Sequence, residues 1–351
     1  MKVIKKERDS NIELLRLLAM FLVLVVHADF FSLGIPTQAE VVSSPINAFT
    51  RFFFESLSIV CVNVFVLISG WFGIHPSKKG FCNFAFQCLF FLFGIYVVLV
   101  LCRVTPLSAK GLAGCLVLLP WNWFIKAYVG LYILAPVLNA YVKSADRATQ
   151  KLVLICFFLF QSIYSWLNGA AVFFENGYST LSFVGLYLLA RYINVFKPRW
   201  AFTPPIRHFT MYVVLTLVLT VISIVATRFG VERIAGRIYL YVNPLVIASA
   251  LSLLLCFKGI SVKSKSINWL AASSFAIFLL HTNPNLCEPY FIPCVSRIYS
   301  SYNGVMCLIC ILVFLVAVAF LAILIDPKIR STRLIEGKSH QKSEKSIQRA
   351  K

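Results

Sequence analysis

The stretch NIELLRLLAMFLVLVVHADFF, residues 11–31, decides the fold. Between Arg16 and His27 it holds an unbroken apolar run, and with the apolar residues on either side it is long enough to cross a hydrocarbon core of about 30 Å, which takes ~20 helical residues. The pattern then repeats. Similar runs at 52–73, 81–102, 121–141, 152–171, 178–196, 209–227, 238–257, 267–286 and 304–325 predict, with a first span at 14–34, an all-α polytopic integral membrane helical bundle of about ten transmembrane spans. Residues 111–141 are the least determined stretch, because Pro120 and Pro136 punctuate them and they read as one span with a re-entrant shoulder or as two short ones.

Composition agrees with that reading. Of 351 residues, 60% are hydrophobic and 13% charged, against roughly 25% charged in a soluble globular protein, and the mean hydropathy is +0.84. This excludes a water-soluble fold, a disordered chain and a secreted disulfide scaffold. It also excludes an outer-membrane barrel, whose strands alternate apolar and polar positions over about ten residues. The chain divides into a basic cytoplasmic N-terminus (1–13), a membrane domain (14–325) and a basic polar tail (326–351). The first apolar run lacks a small-residue cleavage site and is expected to be a retained span rather than a secretory leader.

The net charge of +20 would in a soluble protein suggest a nucleic-acid partner. Its distribution removes that reading. With the N-terminus inside, 25 of the 33 basic residues fall in the N-terminal segment, the inner connections, the tail or, as Arg16 does, the inner end of span 1, and eight fall outside. That asymmetry predicts both termini in the cytoplasm of a cell (inner or plasma) membrane, with the tail near anionic lipid.

Ionisable residues inside spans are costly, so they mark function first. Arg16 and His27 are eleven positions apart, which at ~100° per residue returns to within ~20° of the same helix face about 16 Å further along. A guanidinium at the rim suits phosphate, and a neutral imidazole three turns deeper suits a proton taken from a hydroxyl. An ordinary interfacial ion pair with Glu13, three residues earlier, is the competing account of Arg16. Asp29 and Glu55 lie in the outer halves of spans 1 and 2, where they read as solvated interface carboxylates or as contacts to sugar hydroxyls. Gly70 suits close helix packing, and Trp71, Trp121 and Trp123 suit an interfacial aromatic belt. Cys307 and Cys310 sit mid-span without His or acidic neighbours, and Cys287 and Cys294 share an outer loop where an oxidising exterior would let them pair. No nucleotide-binding Gly-Lys loop and no metal-ligand spacing is present in the sequence, so no resident metal or cofactor is expected.

The segment from Asn11 through Arg16 to His27 resembles the opening signature of the acyltransferase 3 family of integral membrane O-acyltransferases. Three further segments resemble that family in its order: Asn63 to Phe72 with Ser69-Gly70, Trp123 to Pro136 with Tyr128 and Tyr132, and Ser274 to His281. The resemblance covers about residues 10–326. It implies acyl transfer from a cytoplasmic acyl-CoA, usually acetyl-CoA, as co-substrate to a hydroxyl of a cell-surface polysaccharide or lipid-linked sugar. On that reading His27 is the general base, Arg16 orients the CoA end, Lys78 and Lys79 assist with phosphate, and His281 lies on the acceptor side. The chain departs from the family in two places. The loop after Ser69-Gly70 offers His75, Lys78 and Lys79 where many members have an arginine pair, and the last segment has Phe278 for the common Tyr and His281-Thr282-Asn283 for His-Pro. A transporter or flippase of glycan precursors is the alternative class, and it gives no reason for an Arg and a His on one helix face.

Overall fold

In the computed structural model, residues 9–117, 122–169 and 173–326 are described. The expectations for the N-terminal lysines, Pro120, Trp121 and the tail beyond Asp326 fall outside them. Among the described residues the chain is helical and contains no strand. The main helices are α1 (Ser10–Ala28), α2 (Pro45–Ser58), α3 (Cys61–Phe72), α4 (Lys78–Leu101), α5 (Trp123–Ser144), α6 (Arg147–Phe160), α7 (Thr180–Phe196), α8 (Pro205–Arg228), α9 (Pro244–Gly259), α10 (Lys265–Ala271), α11 (Ser274–His281) and α12 (Gly304–Ile325).

Seven helical stretches among them are long and apolar enough to cross a membrane, with α1, α2–α3 and α6 each counted with its continuation. The expected spans 178–196 and 238–257 are also helical, but α7 and α9 are 17 and 16 residues long. The expected span 267–286 is not one rod. It breaks at Ala272-Ser273 into α10 and α11, and the Ser273 hydroxyl donates to Asp326 Oδ2 at 2.6 Å instead of capping α11. The ambiguous 111–141 region holds a short helix, Ala109–Cys115, followed by α5, which runs through Pro136 without interruption.

Helix ends follow local chemistry. Pro45, Pro205 and Pro244 occupy first-turn positions, where a missing N–H costs nothing. Ser77, Asp146 and Ser179 cap the starts of α4, α6 and α7 with their side chains. The outermost helices present apolar side chains outward all along their length, as Ile309, Val313, Val316 and Phe320 do on α12. A bilayer accepts that surface and water does not.

α1 lies inside the bundle, in contact with α2, α3, α9, α10, α11 and α12. Asn11 holds its inner end, donating from Nδ2 to the carbonyls of Phe257 at 2.8 Å and Ile260 at 3.1 Å. The outer end stops at Asp29, whose backbone (φ −96°, ψ −100°) leaves the helix, and Ser32 Oγ donates to the exposed carbonyl of His27 at 2.5 Å. α3 and α7 pack closely because Gly70 presents no side chain. A Cβ there would lie 2.5 Å from the Tyr187 carbonyl oxygen, as close packing at this glycine requires.

Candidate functional site

A cavity of about 450 Å³ runs along α1 and is walled by α3, α4, α5, α10 and α11. Arg16, Gly80, Asn83, Ala271 and Ala272 line one end, and His27, Phe31, Trp123, Tyr241 and Cys287 the other. The middle of the wall is apolar, with Val23, Phe65, Ile68, Phe84, Phe124 and Phe275. The separation of Arg16 from His27, about 16 Å along the helix, is therefore also the length of the cavity between them.

At the inner end Arg16 Nη1 donates to Glu13 Oε1 at 2.6 Å, and its side chain is 34% exposed. The ion pair and the cavity-lining role coexist, because a guanidinium carries five N–H donors and Glu13 engages one nitrogen. Arg16 stands over the Phe72 ring, 5.9 Å from its centre, and Lys258 Nζ lies 6.0 Å from the same centre. Lys258 also approaches Trp71 at 5.7 Å and pairs with Asp9 at 3.3 Å. Two cations thus flank one aromatic ring at this rim. Nothing in the sequence signals the second, since Lys258 lies 242 positions from Arg16 and reads as one loop lysine among several. Lys78 and Lys79 are exposed in the first turn of α4 and do not line the cavity, although Gly80 does. His75 lines a second, smaller cavity of about 270 Å³ that shares Gly80, Phe84 and Tyr128 with the first.

At the outer end His27 Nδ1 lies 2.9 Å from His281 Nε2, and His281 Nδ1 lies 2.6 Å from the Ile277 carbonyl oxygen. The proton positions follow from these contacts. A carbonyl only accepts, so His281 Nδ1 carries a hydrogen. In the neutral ring His281 Nε2 is then an acceptor, and His27 Nδ1 must be the donor. His27 Nε2 is left as an unprotonated acceptor on a ring that lines the cavity. His281 is buried and is not a cavity-wall residue. Its ring is held in the turn Ile277–His281 with its second nitrogen turned to His27 on α1.

The expectation that the two outer carboxylates are solvated is corrected. Asp29 and Glu55 are buried rather than solvated, and neither lines the cavity. Asp29 Oδ1 accepts from Arg51 Nε at 2.7 Å, and Arg51 Nη2 donates to the Gly34 carbonyl. Glu55 is one turn along α2 from Arg51. The Asp29–Arg51 pair ties the end of α1 to α2 at the residue where α1 stops. Trp71 is buried and Trp123 lines the cavity, so neither belongs to an interfacial belt. Cys287 and Cys294 are both free thiols, the first buried at the cavity and the second exposed.

The segments singled out in the sequence meet in space. Ser69 Oγ lies 3.2 Å from Tyr128 Oη, which joins α3 to α5 beside the cavity. Tyr132 Oη takes the Ser77 N–H at 2.8 Å and donates to the Ser77 carbonyl, which fixes the turn into α4.

A family profile described as "Acyltransferase domain" matches residues 9–324, which include both histidines and every residue lining the cavity. No curated protein and no solved structure matches the chain.

Proposed function

The chain belongs to the acyltransferase 3 family, whose members are membrane acyltransferases, and from that premise we propose that it moves an acetyl group from acetyl-CoA to a hydroxyl of a polysaccharide or lipid-linked glycan precursor. The observation that carries the reading is the chain Ile277 carbonyl, His281, His27, which leaves His27 Nε2 bare at the cavity.

The chemistry follows from that nitrogen. His27 Nε2 takes the hydroxyl proton as the acceptor oxygen attacks the thioester carbonyl carbon. His27 becomes an imidazolium, and its Nδ1–H remains bonded to neutral His281. The tetrahedral intermediate collapses with cleavage of the carbon–sulfur bond, and the thiolate recovers the proton from Nε2. The products are the acetyl ester and free CoA thiol. A positioned base of this kind is worth roughly 10² to 10⁴ in rate.

The donor enters from the Arg16 end. Thirteen bonds separate the sulfur of a pantetheine arm from its phosphate, about 15 Å at the ~3.4 Å per three bonds of an extended chain. Arg16 and Lys258 then meet the phosphates while the thioester reaches His27. Lys78 and Lys79, exposed in the same first turn as Gly80, add positive potential at the same rim. On this reading the acyl-CoA end lies in the cytoplasm, and the protein has ten spans in the cell (inner or plasma) membrane with both termini inside. α7, α9 and the α10–α11 pair are its shorter spans.

Membranes carrying the protein, incubated with acetyl-labelled acetyl-CoA and host glycan, are expected to transfer label. His27→Ala lowers the rate roughly 10² to 10⁴-fold, and Arg16→Ala chiefly raises the donor KM. Full transfer by both variants would overturn the assignment.

A further inference from the structure

The break between α10 and α11 leaves hydrogen-bond donors at the start of α11 that the reaction scheme does not use, and two of the residues there, Ser274 and Phe275, line the cavity. The first N–H groups of a helix have no partner within it. On α11 these belong to Ser274, Phe275 and Ala276. No backbone acceptor serves them among the described residues, and Ser273 caps none of them. The Ser274 hydroxyl is also buried without a hydrogen-bond partner, on a residue 5% exposed that lines the cavity. An unpaired buried hydroxyl carries a desolvation cost that a ligand acceptor would remove.

We infer that Ser274 and the first turn of α11 form a subsite for the inner amide carbonyl of the donor's pantetheine arm, which rests on the acyl-CoA reading above. Depth selects this group. Ser274 precedes His281 by seven residues, about 10 Å along the axis, and His281 is level with His27. The inner amide carbonyl of pantetheine lies eight bonds from the sulfur, ~9 Å in an extended chain. The phosphate lies beyond, at the level of Arg16. Charge selects it too. The Asp326 carboxylate already sits against Ser273 at the start of α11, so a second anion there meets like charge, whereas a neutral carbonyl meets only the donors.

The test compares three acetyl donors in wild type and Ser274→Ala: acetyl-CoA, S-acetylpantetheine, which lacks the phosphates, and S-acetyl-N-acetylcysteamine, which ends before the inner amide. KM rises about fivefold for the first two, on the scale of one neutral hydrogen bond. It stays unchanged for the shortest donor, and that constancy also reports that the variant is folded. An equal change for all three donors overturns the subsite in favour of a packing role. A change confined to acetyl-CoA overturns it in favour of a phosphate site. A wild type that uses all three donors, with KM values that Ser274→Ala leaves unaltered, overturns the subsite alone. A wild type that accepts acetyl from none of them overturns the acyl-CoA reading and the subsite with it.

Discussion

His27 Nδ1 lies 2.9 Å from His281 Nε2, so a residue near the start of the chain is set in its tautomer by one 254 positions later. His281 is a positioning residue on this account, and its removal separates orientation from binding. In His281→Leu the His27 Nδ1–H loses its acceptor and the ring its fixed direction. The expected result is a kcat about 10² lower with the donor KM within twofold. His281→Gln, whose side-chain oxygen also accepts, recovers part of the loss. Steady-state kinetics on the two variants decide it, and a kcat untouched by His281→Leu would sink the relay.

The buried pair Asp29–Arg51 gives a stability prediction. Removing one partner of such a pair strands the other charge at a cost of about 3 to 5 kcal/mol, whereas replacing both with apolar groups is often close to neutral. Arg51→Met strands Asp29 beside the buried Glu55 and is expected to lower the thermal midpoint in detergent sharply. The double variant Asp29→Leu/Arg51→Met recovers most of that loss. Equal midpoints for Arg51→Met and wild type would show that the clamp is dispensable.

Gly70 is where helix packing is tightest against backbone. A methyl group there meets the Tyr187 carbonyl oxygen at 2.5 Å and its Cα at 2.8 Å, and neither moves unless α3 and α7 separate. Gly70→Ala therefore costs about 1 to 3 kcal/mol by overpacking. Gly94, whose Cβ would meet nothing within 4 Å, is the control. Gly94→Ala should leave the midpoint where it was or raise it slightly through better helix propensity. A thermal-shift comparison of the two in the same detergent checks this.

The outer connection carries a pH-sensitive cap outside the spans. Thr37 donates its backbone N–H and its hydroxyl to Glu40 Oε2 at 2.7 and 2.9 Å, which holds the Glu40 carboxyl below the ordinary glutamate range. A depressed native pKa means that the cap contributes stability at pH above the unfolded value near 4.3 and loses it as pH falls through the native one. Amide exchange at Val41, in the helix Gln38–Ser43, should accelerate relative to the intrinsic rate below about pH 4.3. Thr37→Val, which loses the hydroxyl but keeps the backbone N–H donor, should weaken that extra acceleration, and Glu40→Gln, which does not titrate, should abolish it.

Much of this was legible in the sequence, for physical reasons that stop at identifiable residues. Apolar runs must be helices in lipid, so the helical segments follow from hydropathy alone. The Arg16–His27 face follows from the helical period. What hydropathy does not encode is where a helix breaks. The gap between α10 and α11 goes with Ser273 bonding to Asp326, 53 positions away, and the end of α1 goes with Arg51 pairing with Asp29. An acid at the end of an apolar run looks solvated until its packing is known, and Asp29, paired with Arg51, and Glu55 are both buried. Trp123 likewise looks like a belt residue, because its ring neighbours, Tyr178 at 4.5 Å and Tyr241 at 6.1 Å, come from turns far along the chain. Charge asymmetry, by contrast, speaks to topology directly, and thiols in the right places allow it to be tested.

Cys82 is exposed near the start of α4, Cys102 is exposed just past its end, and Cys294 is exposed in the short helix Ile292–Ser301. α4 is long and apolar enough to cross a membrane, and a single crossing puts Cys82 and Cys102 on opposite sides. With both termini inside, Cys102 and Cys294 face outward. A membrane-impermeant thiol reagent applied to intact cells should label single-cysteine variants retaining Cys102 or Cys294, and should label Cys82 only after permeabilisation. The opposite pattern would invert the topology and put Arg16 outside, away from cytoplasmic acyl-CoA. Labelling of Cys102 but not Cys294 would mean an odd number of crossings between them, and one of the shorter helices would then not be a span.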